Sequence, residues 1–366
     1  MNQSIKIPFV DLYPQYEELR QEIDQAISNV IRDSDFITGP TVEKFEKEIC
    51  KYTGAEDCAS IGSGTNALVC ALKACGIGPG DQVMTVGHTF VSTTEAIVNV
   101  GAEPVFVDID EHYHLDTTQM QLSDRLKAIL FVDLYGQTPD IDKINFFAKQ
   151  FNLKVIEDAA QSFGSSYKDK KVGSLVDLTC FSFNPVKNLG AMGDAGAVTG
   201  NKELVDKVRM YRDHGRRTKF EYETVGYNAR IDNLQAVVVQ AKLQKVDQWL
   251  SKKRKICQMY TEKLKDVVTT PKEAPWSYHT YYVYVIEVPE GTRDALQIFL
   301  KDKGVATNIH YKFPTHATKA FEKHGQSLPR TEYVCDNILS LPCYHTLPEP
   351  HQDYIIASIK EFYEKH

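Results

Sequence analysis

No run of apolar residues in this chain approaches the roughly 20 that a membrane-spanning helix requires. The eight cysteines include no CxxC pair, and the eleven histidines fall into neither an HExxH nor a Cys/His ligand spacing. No metal site is therefore indicated. The cysteines are expected to be buried and reduced, because several stand in apolar stretches such as "NALVCALKACG". Excess positive charge is also missing. A formal net charge of −7 argues against nucleic acid or an anionic membrane as the main partner. The N-terminal "MNQSIKIPFVDLYPQYEEL" has no basic segment followed by an apolar one, so no secretion signal is read and a cytoplasmic location is expected. Internal repeats and low-complexity tracts are absent as well. The "HYH" at 112–114 stands in a polar turn and is expected at the surface.

What is present is the composition of a globular enzyme, with 42% hydrophobic and 25% charged residues over 366 positions. Amphipathic helices are expected over 11–33 and 40–52, the second opening at Pro40-Thr41. Short apolar runs then follow at 58–61, 82–86, 103–108, 127–133, 153–158, 178–183 and 196–200, several separated by helical patterns such as 64–75, 92–100 and 140–151. Near-continuous apolar strands alternating with helices predict an α/β protein with a mainly parallel sheet covered on both faces. Ligands bind beyond the carboxyl ends of such strands. A single long helical pattern covers 231–268. Beyond it come a strand at 281–288, a helix at 292–303, a short strand at 305–309 and a closing helix at 350–364. The division expected is a large domain over 1–245 and a smaller α+β domain over 246–366.

Three strand-end motifs carry chemistry. "IGSGTNAL" (61–68) is a glycine-rich turn between a strand and a helix, which aims free amides and the positive helix end at an anion. Gly64 and Thr65 would supply amides, and Thr65 a hydroxyl. Gly62, Gly64 and Ala67 also fit a dinucleotide fingerprint, but the next strand ends in "TVGH" without the carboxylate that would hold a ribose. A plain glycine-rich turn is the third reading. "KVIEDAAQSFG" (154–164) ends a strand on Glu157-Asp158, and Asp158 could face a ligand or cap a helix. "CFSFNPVKNLGAMGDAGAV" (180–198) places one lysine, Lys187, in a nearly uncharged turn after Ser182. Such a lysine is either salt-bridged and structural, or has a lowered pKa and forms a Schiff base with an aldehyde. A phosphate turn, a carboxylate and a lysine at successive strand ends match the needs of pyridoxal 5′-phosphate: an anchor for its phosphate, a partner for its ring nitrogen and an amine for its aldehyde. Phe90, just past the 82–86 strand, could stack on the ring or simply pack in the core.

With these motifs in place, the chain resembles the sugar-nucleotide aminotransferases of the DegT type, which have the type I pyridoxal-phosphate fold. The resemblance runs from "IPFVDLYPQY" and "DFITGPTVEKFE" through "GHTFVSTTEAI", "YGQTPDID", "VIEDAAQSFGSSYKDKKVGS", "SFNPVKNLGAMGDAGAV" and "VGYNARIDNLQA" to "HY" (310–311) and "LSLPCYHTL". It implies that Lys187 joins the cofactor's aldehyde, Asp158 pairs with the pyridine nitrogen, Gln161 holds the 3-oxygen and Phe90 stacks on the ring. Gly64, Thr65 and Ser182 would hold the phosphate. Asn228 would reach the cofactor phosphate of a neighbouring subunit in a homodimer with shared active sites. Arg230, His310 and Tyr311 match positions that face substrate in some relatives. Asn184 and Val186 stand where relatives commonly have an aromatic residue and a threonine, and Ala195 where they have glycine.

The reaction implied is a two-stage transfer of an amino group from L-glutamate to a keto sugar carried by a nucleotide, at C3 or C4, for surface polysaccharides or other amino-sugar products. An alternative on the same fold is a non-catalytic, cofactor-binding regulatory protein. A nicotinamide-dependent dehydrogenase, suggested by the glycine-rich turn, would leave Lys187 unexplained.

Overall fold

The computed structural model describes residues 5–365; the first four residues of the stretch read for a leader lie outside them. Three helices open the chain, α1 (Tyr13–Glu18), α2 (Arg20–Asp33) and α3 (Pro40–Thr53). Pro40 occupies the first turn of α3, where its missing N–H costs nothing. Then follow β1 (Asp57–Ile61), α4 (Gly64–Ala74), β2 (Gln82–Val86), α5 (Val91–Asn99), β3 (Glu103–Val107), β4 (Leu126–Val132), α6 (Ile141–Phe151) and β5 (Lys154–Asp158). A small hairpin, β6 (Ser166–Tyr167) and β7 (Lys170–Lys171), precedes β8 (Leu178–Ser182) and β9 (Gly196–Gly200).

These strands, the hairpin apart, form one seven-stranded sheet in the order β1-β9-β8-β5-β4-β2-β3. Pairing is parallel from β3 across to β8, and β9 alone runs against its two neighbours. The carboxyl ends of β1, β2, β4, β5 and β8 therefore open on one edge. Apolar residues point to both faces because both are covered. On one face α4, α5 and α7 (Lys202–Arg212) bury Ala67, Leu68, Leu72, Ile97, Val205 and Val208 against Ile156, Leu178 and Val198. On the other, α3 and α8 (Asn233–Leu243) pack Phe45, Ile49, Ala236 and Val239 on Phe181, Phe183 and Ala197.

The remainder comprises α9 (Val246–Leu264), β10 (Ser277–Tyr278), β11 (Tyr284–Glu287), α10 (Arg293–Asp302), α11 (Pro329–Asn337), β12 (Ile338–Leu341) and α12 (Glu349–Lys365). A separate apolar cluster gathers Tyr260, Leu264, Tyr284, Ile286, Leu296, Leu339, Ile355 and Ile359 around the β11–β12 pair. Ile7, from the other end of the chain, joins it and bridges to Val305.

Three expectations need correction. The pattern at 231–268 is two helices, not one: the turn at Gln244-Lys245 redirects the chain so that α8 serves the large sheet while Ile256, Cys257 and Tyr260 of α9 serve the second cluster. Residues 305–309 do not form a strand; only single bridges at Val305 and Asn308 occur. The edge of β11 is taken instead by β12, which lies inside the "LSLPCYHTL" motif. Finally, the "HYH" turn is not superficial. Tyr113 and His114 are buried, His114 Nε2 against the Gln137 carbonyl (3.1 Å) and the Tyr113 hydroxyl on Glu287 (2.8 Å). These polar side chains go inside because each finds a partner there.

Phe183 illustrates how the core sets the next feature. Its ring is fully buried edge-on to Phe45 (5.9 Å) and Phe163 (5.5 Å), one residue beyond β8. Truncation would leave a cavity under the lysine-bearing turn. Phe183→Ala is expected to lower stability by about 3–5 kcal/mol, measured by urea titration.

Candidate active site

At the carboxyl edge of the sheet lies a cavity of about 630 Å³. Gly64, Thr65, Phe90, Asp158, Gln161, Ser182, Lys187, His310 and Tyr311 all line it. Nine of the eleven side chains singled out in the sequence thus meet in one place, although they span residues 64 to 311.

The turn after β1 is built for an anion. Ser63 caps α4 by accepting from the Asn66 amide (3.2 Å), which leaves the first-turn amides of Gly64 and Thr65 without intrahelical acceptors. The Thr65 and Ser92 hydroxyls are hydrogen-bonded to each other (2.8 Å). A Cβ on Gly64 would come within 2.7 Å of Ser182 Cβ, so only glycine lets this turn approach the end of β8. Here the phosphate reading and the glycine requirement have the same cause.

Asp158 ends β5, buried, with Thr93 Oγ1 donating to Oδ2 (2.7 Å) and the Ala160 amide to Oδ1 (3.2 Å). No helix starts there, so the capping alternative falls away. Burial raises its pKa, opposed by Thr93, the Ala160 amide and the charge of Lys187. A cationic ring nitrogen in the cavity would push further toward the ionised form.

Lys187 sits in a turn closed by its own amide on the Asn184 carbonyl (2.9 Å), with Pro185 inside the turn. Its ammonium forms no ion pair among the described residues; it stands over the Tyr282 ring, 4.2 Å from the centroid. Burial pushes its pKa down to about 8, with Asp158 as the opposing influence. The salt-bridged structural alternative therefore does not describe this lysine. Two other lysines, invisible as site residues in the sequence, brace the loop. Lys242 Nζ donates to the Gly190 carbonyl (2.7 Å), and Lys253 Nζ to Asn188 Oδ1 (3.0 Å) and the Tyr282 carbonyl (2.9 Å).

Gln161 is oriented by Tyr135, whose amide donates to Oε1 (2.9 Å) from a left-handed backbone conformation (φ 62°). The Gln161 amide then directs Nε2 toward the Tyr311 hydroxyl (3.1 Å) and the cavity. The Tyr135 hydroxyl donates to the His310 carbonyl and contacts His88 Nε2. Burial and Lys187 push the His310 pKa down to about 4, so the ring is neutral at pH 7. Phe90 is 53% exposed and rests at a tilt on Tyr311, with centroids 5.9 Å apart. It is not a core residue; its free face looks into the cavity.

These features fit the pyridoxal 5′-phosphate implied by the sequence. An anion turn, a buried carboxylate, a flat ring surface and an amine of lowered pKa lie around one cavity, and no other group neutralises that amine.

Asn228 and Arg230 are not brought to this cavity. The backbone of their segment docks beside it, the Ala229 carbonyl accepting from the Gly62 amide (2.8 Å). The side chains turn away. Arg230 Nη2 donates to Asn228 Oδ1 (3.0 Å), and Arg230 lines a separate cleft of about 970 Å³ together with Arg209, Arg212, Arg216, Arg217 and Lys219. Of the departures from the expected motif, Asn184 and Val186 line the cavity, with Asn184 Nδ2 donating to Asp194 (3.0 Å), whereas Ala195 is buried in the core. The strict glycine is Gly196, whose Cβ would meet the Phe181 carbonyl at 2.7 Å. Thr93, Ser92, Tyr135 and Tyr282 are site residues that the sequence reading did not identify.

A type I fold with a lysine, a carboxylate and an anion turn at the sheet edge defines the class, and comparison with known proteins gives the family. The chain belongs to the DegT/DnrJ/EryC1/StrS aminotransferase family, whose family model matches residues 17–360. It is 41% identical to a pleiotropic regulatory protein of Geobacillus stearothermophilus, over 98% of this chain and 99% of that one. It is 38% identical to the UDP-N-acetyl-3-dehydro-α-D-glucosamine 3-aminotransferase of Acidithiobacillus ferrooxidans, covering 95% and 96% of the two chains. Among solved structures it matches S. venezuelae DesV in complex with a ketimine intermediate, with a TM-score of 0.95, 35% identity and 98% of each chain covered.

Because its pKa lies near 8 rather than the ordinary 10.5, a large fraction of Lys187 is a free amine at pH 8. Reductive labelling of the cofactor-free protein by an aldehyde should modify Lys187 first, at a rate rising with pH to a midpoint near 8. Peptide mapping across a pH series reads this; a midpoint near that of surface lysines would contradict the burial argument.

Proposed function

We propose that this protein is a pyridoxal-phosphate-dependent aminotransferase that moves an amino group from L-glutamate to the C3 keto group of a nucleotide-linked sugar. The observation that carries the reading is Lys187: a half-buried, desolvated amine without an ion-pair partner among the described residues, sharing one cavity with an anion turn and a buried carboxylate. The family and the 3-amino chemistry in the name of the Acidithiobacillus relative support the transfer and the position. Amination at C4 is the other outcome that the acceptor test would reveal. The products would enter amino-sugar synthesis for polysaccharides or other glycoconjugates. We take residues 246–366 as the smaller domain, since His310, Tyr311 and Tyr282 come from it to close the cavity over the sheet edge.

Pyridoxal 5′-phosphate supplies an aldehyde that condenses with amines and a ring that accepts the electrons released at the donor's α-carbon. Gly64, Thr65 and Ser182 would hold its phosphate, Phe90 and Gln161 its ring, and Asp158 the proton on its ring nitrogen. Lys187 Nζ, poised near neutrality, takes the proton from the donor's α-carbon and returns one, as a general base and then a general acid. The Tyr282 ring covers one side of that nitrogen.

Charge supports a second copy of the chain in the working enzyme. The cavity must receive a phosphate, a dicarboxylate donor and a nucleoside diphosphate sugar, yet among the described residues Lys187 is the only lysine or arginine that lines it. The arginine-lined cleft carries the complementary charge. Beside it Phe220, Tyr222 and Val225 are 81%, 64% and 87% exposed, which is costly for an isolated chain. A homodimer in which this segment reaches the other subunit's cavity would bring in Asn228 and Arg230 and cover the apolar residues.

The regulatory reading draws on the name of the Geobacillus relative. A regulator of this fold need not turn over, so half-reaction spectroscopy separates the two. Adding L-glutamate to the loaded protein should convert the visible absorption to that of the amine form, and Lys187→Ala should abolish both the conversion and turnover. Absence of conversion in the parent protein would favour regulation. For the dimer, Lys187→Ala and Asn228→Asp chains mixed after unfolding should regain activity, because one hybrid site receives both intact residues. No regain beyond the separate variants would place Asn228 in its own subunit's site.

A further inference from the structure

Behind Asp158, on the opposite side of β5, two further carboxyl groups are fully buried. Glu157 precedes Asp158 in the strand, and Asp133 follows the end of β4, where the Asp133 amide donates to the Asp158 carbonyl (3.1 Å). Each carboxyl has one oxygen satisfied by a hydroxyl: Ser162 Oγ donates to Asp133 Oδ2 (2.6 Å) and Thr179 Oγ1 to Glu157 Oε2 (2.7 Å). Asp133 Oδ1 and Glu157 Oε1 are buried and receive no donor from any other described group. The Asp133 and Glu157 side chains lie within hydrogen-bonding reach of each other, and two ionised carboxylates cannot meet in such a place without a cation between them. One proton shared between the two orphaned oxygens satisfies both.

We propose that Asp133 and Glu157 share a single proton and act together as a clamp of charge −1 that joins β4 to β5 and positions Asp158 and Gln161. The location gives the clamp its reach. Ser162 is the neighbour of Gln161, and Asp133 lies two residues before Tyr135, whose amide fixes the Gln161 side chain. Both strand-end turns therefore pivot on the pair. Burial raises the pKa of both groups; the Glu157 charge raises Asp133 further, while Asp133, hydrogen-bonded to Glu157, opposes the rise of Glu157 and so leaves the shared proton mainly on the aspartate side. The groups acting on the pair are Asp158 from β5 and the hydroxyls of Ser162 and Thr179; the Cys180 thiol of β8 is in turn held up in pKa by burial and by neighbours that include Glu157. None of these is a cation. Asp133 and Glu157 are positioning residues; neither lines the cavity.

The sign of the pH dependence follows. In the unfolded chain both carboxyls ionise near pH ~4, whereas the folded pair keeps one proton well above that. Their folded-state pKa is raised, so the stability they contribute is complete at low pH and declines as pH rises. Asp133→Asn and Glu157→Gln each replace the shared proton by an amide N–H and keep one negative charge. Each should therefore gain on the parent as pH rises from 5 to 7, by about tenfold per pH unit in the folding constant, the slope for one proton. The double variant leaves two amide donors facing each other, so it should lose roughly tenfold beyond the sum of the single changes.

Denaturant titration of the cofactor-free proteins at several pH values reads both effects and does not depend on any transfer activity. Infrared spectroscopy of protein labelled at aspartate and glutamate carboxyls should show one protonated carboxyl at pH 7, lost in either single variant; this carries the test if a variant fails to fold. With cofactor added, removal of the −1 charge should lower the pH midpoint of the visible absorption in the double variant, or in Asp133→Leu/Glu157→Leu, but not in the singles. Pairwise additivity, a pH-independent difference from the parent, or no protonated carboxyl would each overturn the proposal.

Discussion

An uncompensated, desolvated amine is the constraint around which this molecule is arranged. Desolvation pushes the Lys187 pKa down to about 8, and Asp158, whose charge opposes that shift, forms no ion pair with it. A full ion pair would restore an ordinary lysine and cost the site its nucleophile and base. The fold prevents that by placing the two groups at the ends of different strands, with Asp158 engaged by Thr93 and the Ala160 amide. The lysine is left over the face of Tyr282. Reactivity here is a matter of what is withheld.

The surroundings of that amine are held from beneath. Phe183 packs under the turn, while Lys242 and Lys253 tie its later residues to α8 and α9. Burial pushes Lys242 down to about 8 as well, yet its amine is spent on a main-chain carbonyl inside the protein. The same residue type, with its pKa lowered to a similar value, is structural at one position and reactive at the other; access to the cavity makes the difference.

Much of this was legible in the sequence, because the sheet is local in its logic. Apolar runs, glycine-rich turns and the carboxyl-end rule located β1, β5 and β8 and the residues that follow them, and Gly64, Asp158 and Lys187 came with them. What stayed hidden depends on contacts between distant segments. Thr93 acts on Asp158 across 65 positions, and Lys242 on Gly190 across 52. The split between α8 and α9 has no proline or glycine to announce it, since it is imposed by two separate cores. His114 read as superficial for the same reason: its acceptor, the Gln137 carbonyl, lies in another turn. Asn228 and Arg230 were legible as motif members, but one chain alone does not carry them into the cavity.

The reversed strand β9 has an effect on how such a protein can diversify. Because β8 and β9 are adjacent and antiparallel, the segment from 183 to 195 is a hairpin anchored at both feet in the sheet. Its geometry is thereby insulated from drift elsewhere. The opposite wall, made of Asn308, Ile309 and His310, belongs to no strand of that sheet. Chemistry and selectivity are thus entrusted to different scaffolding, so new acceptors can be explored on one wall without retuning the amine on the other.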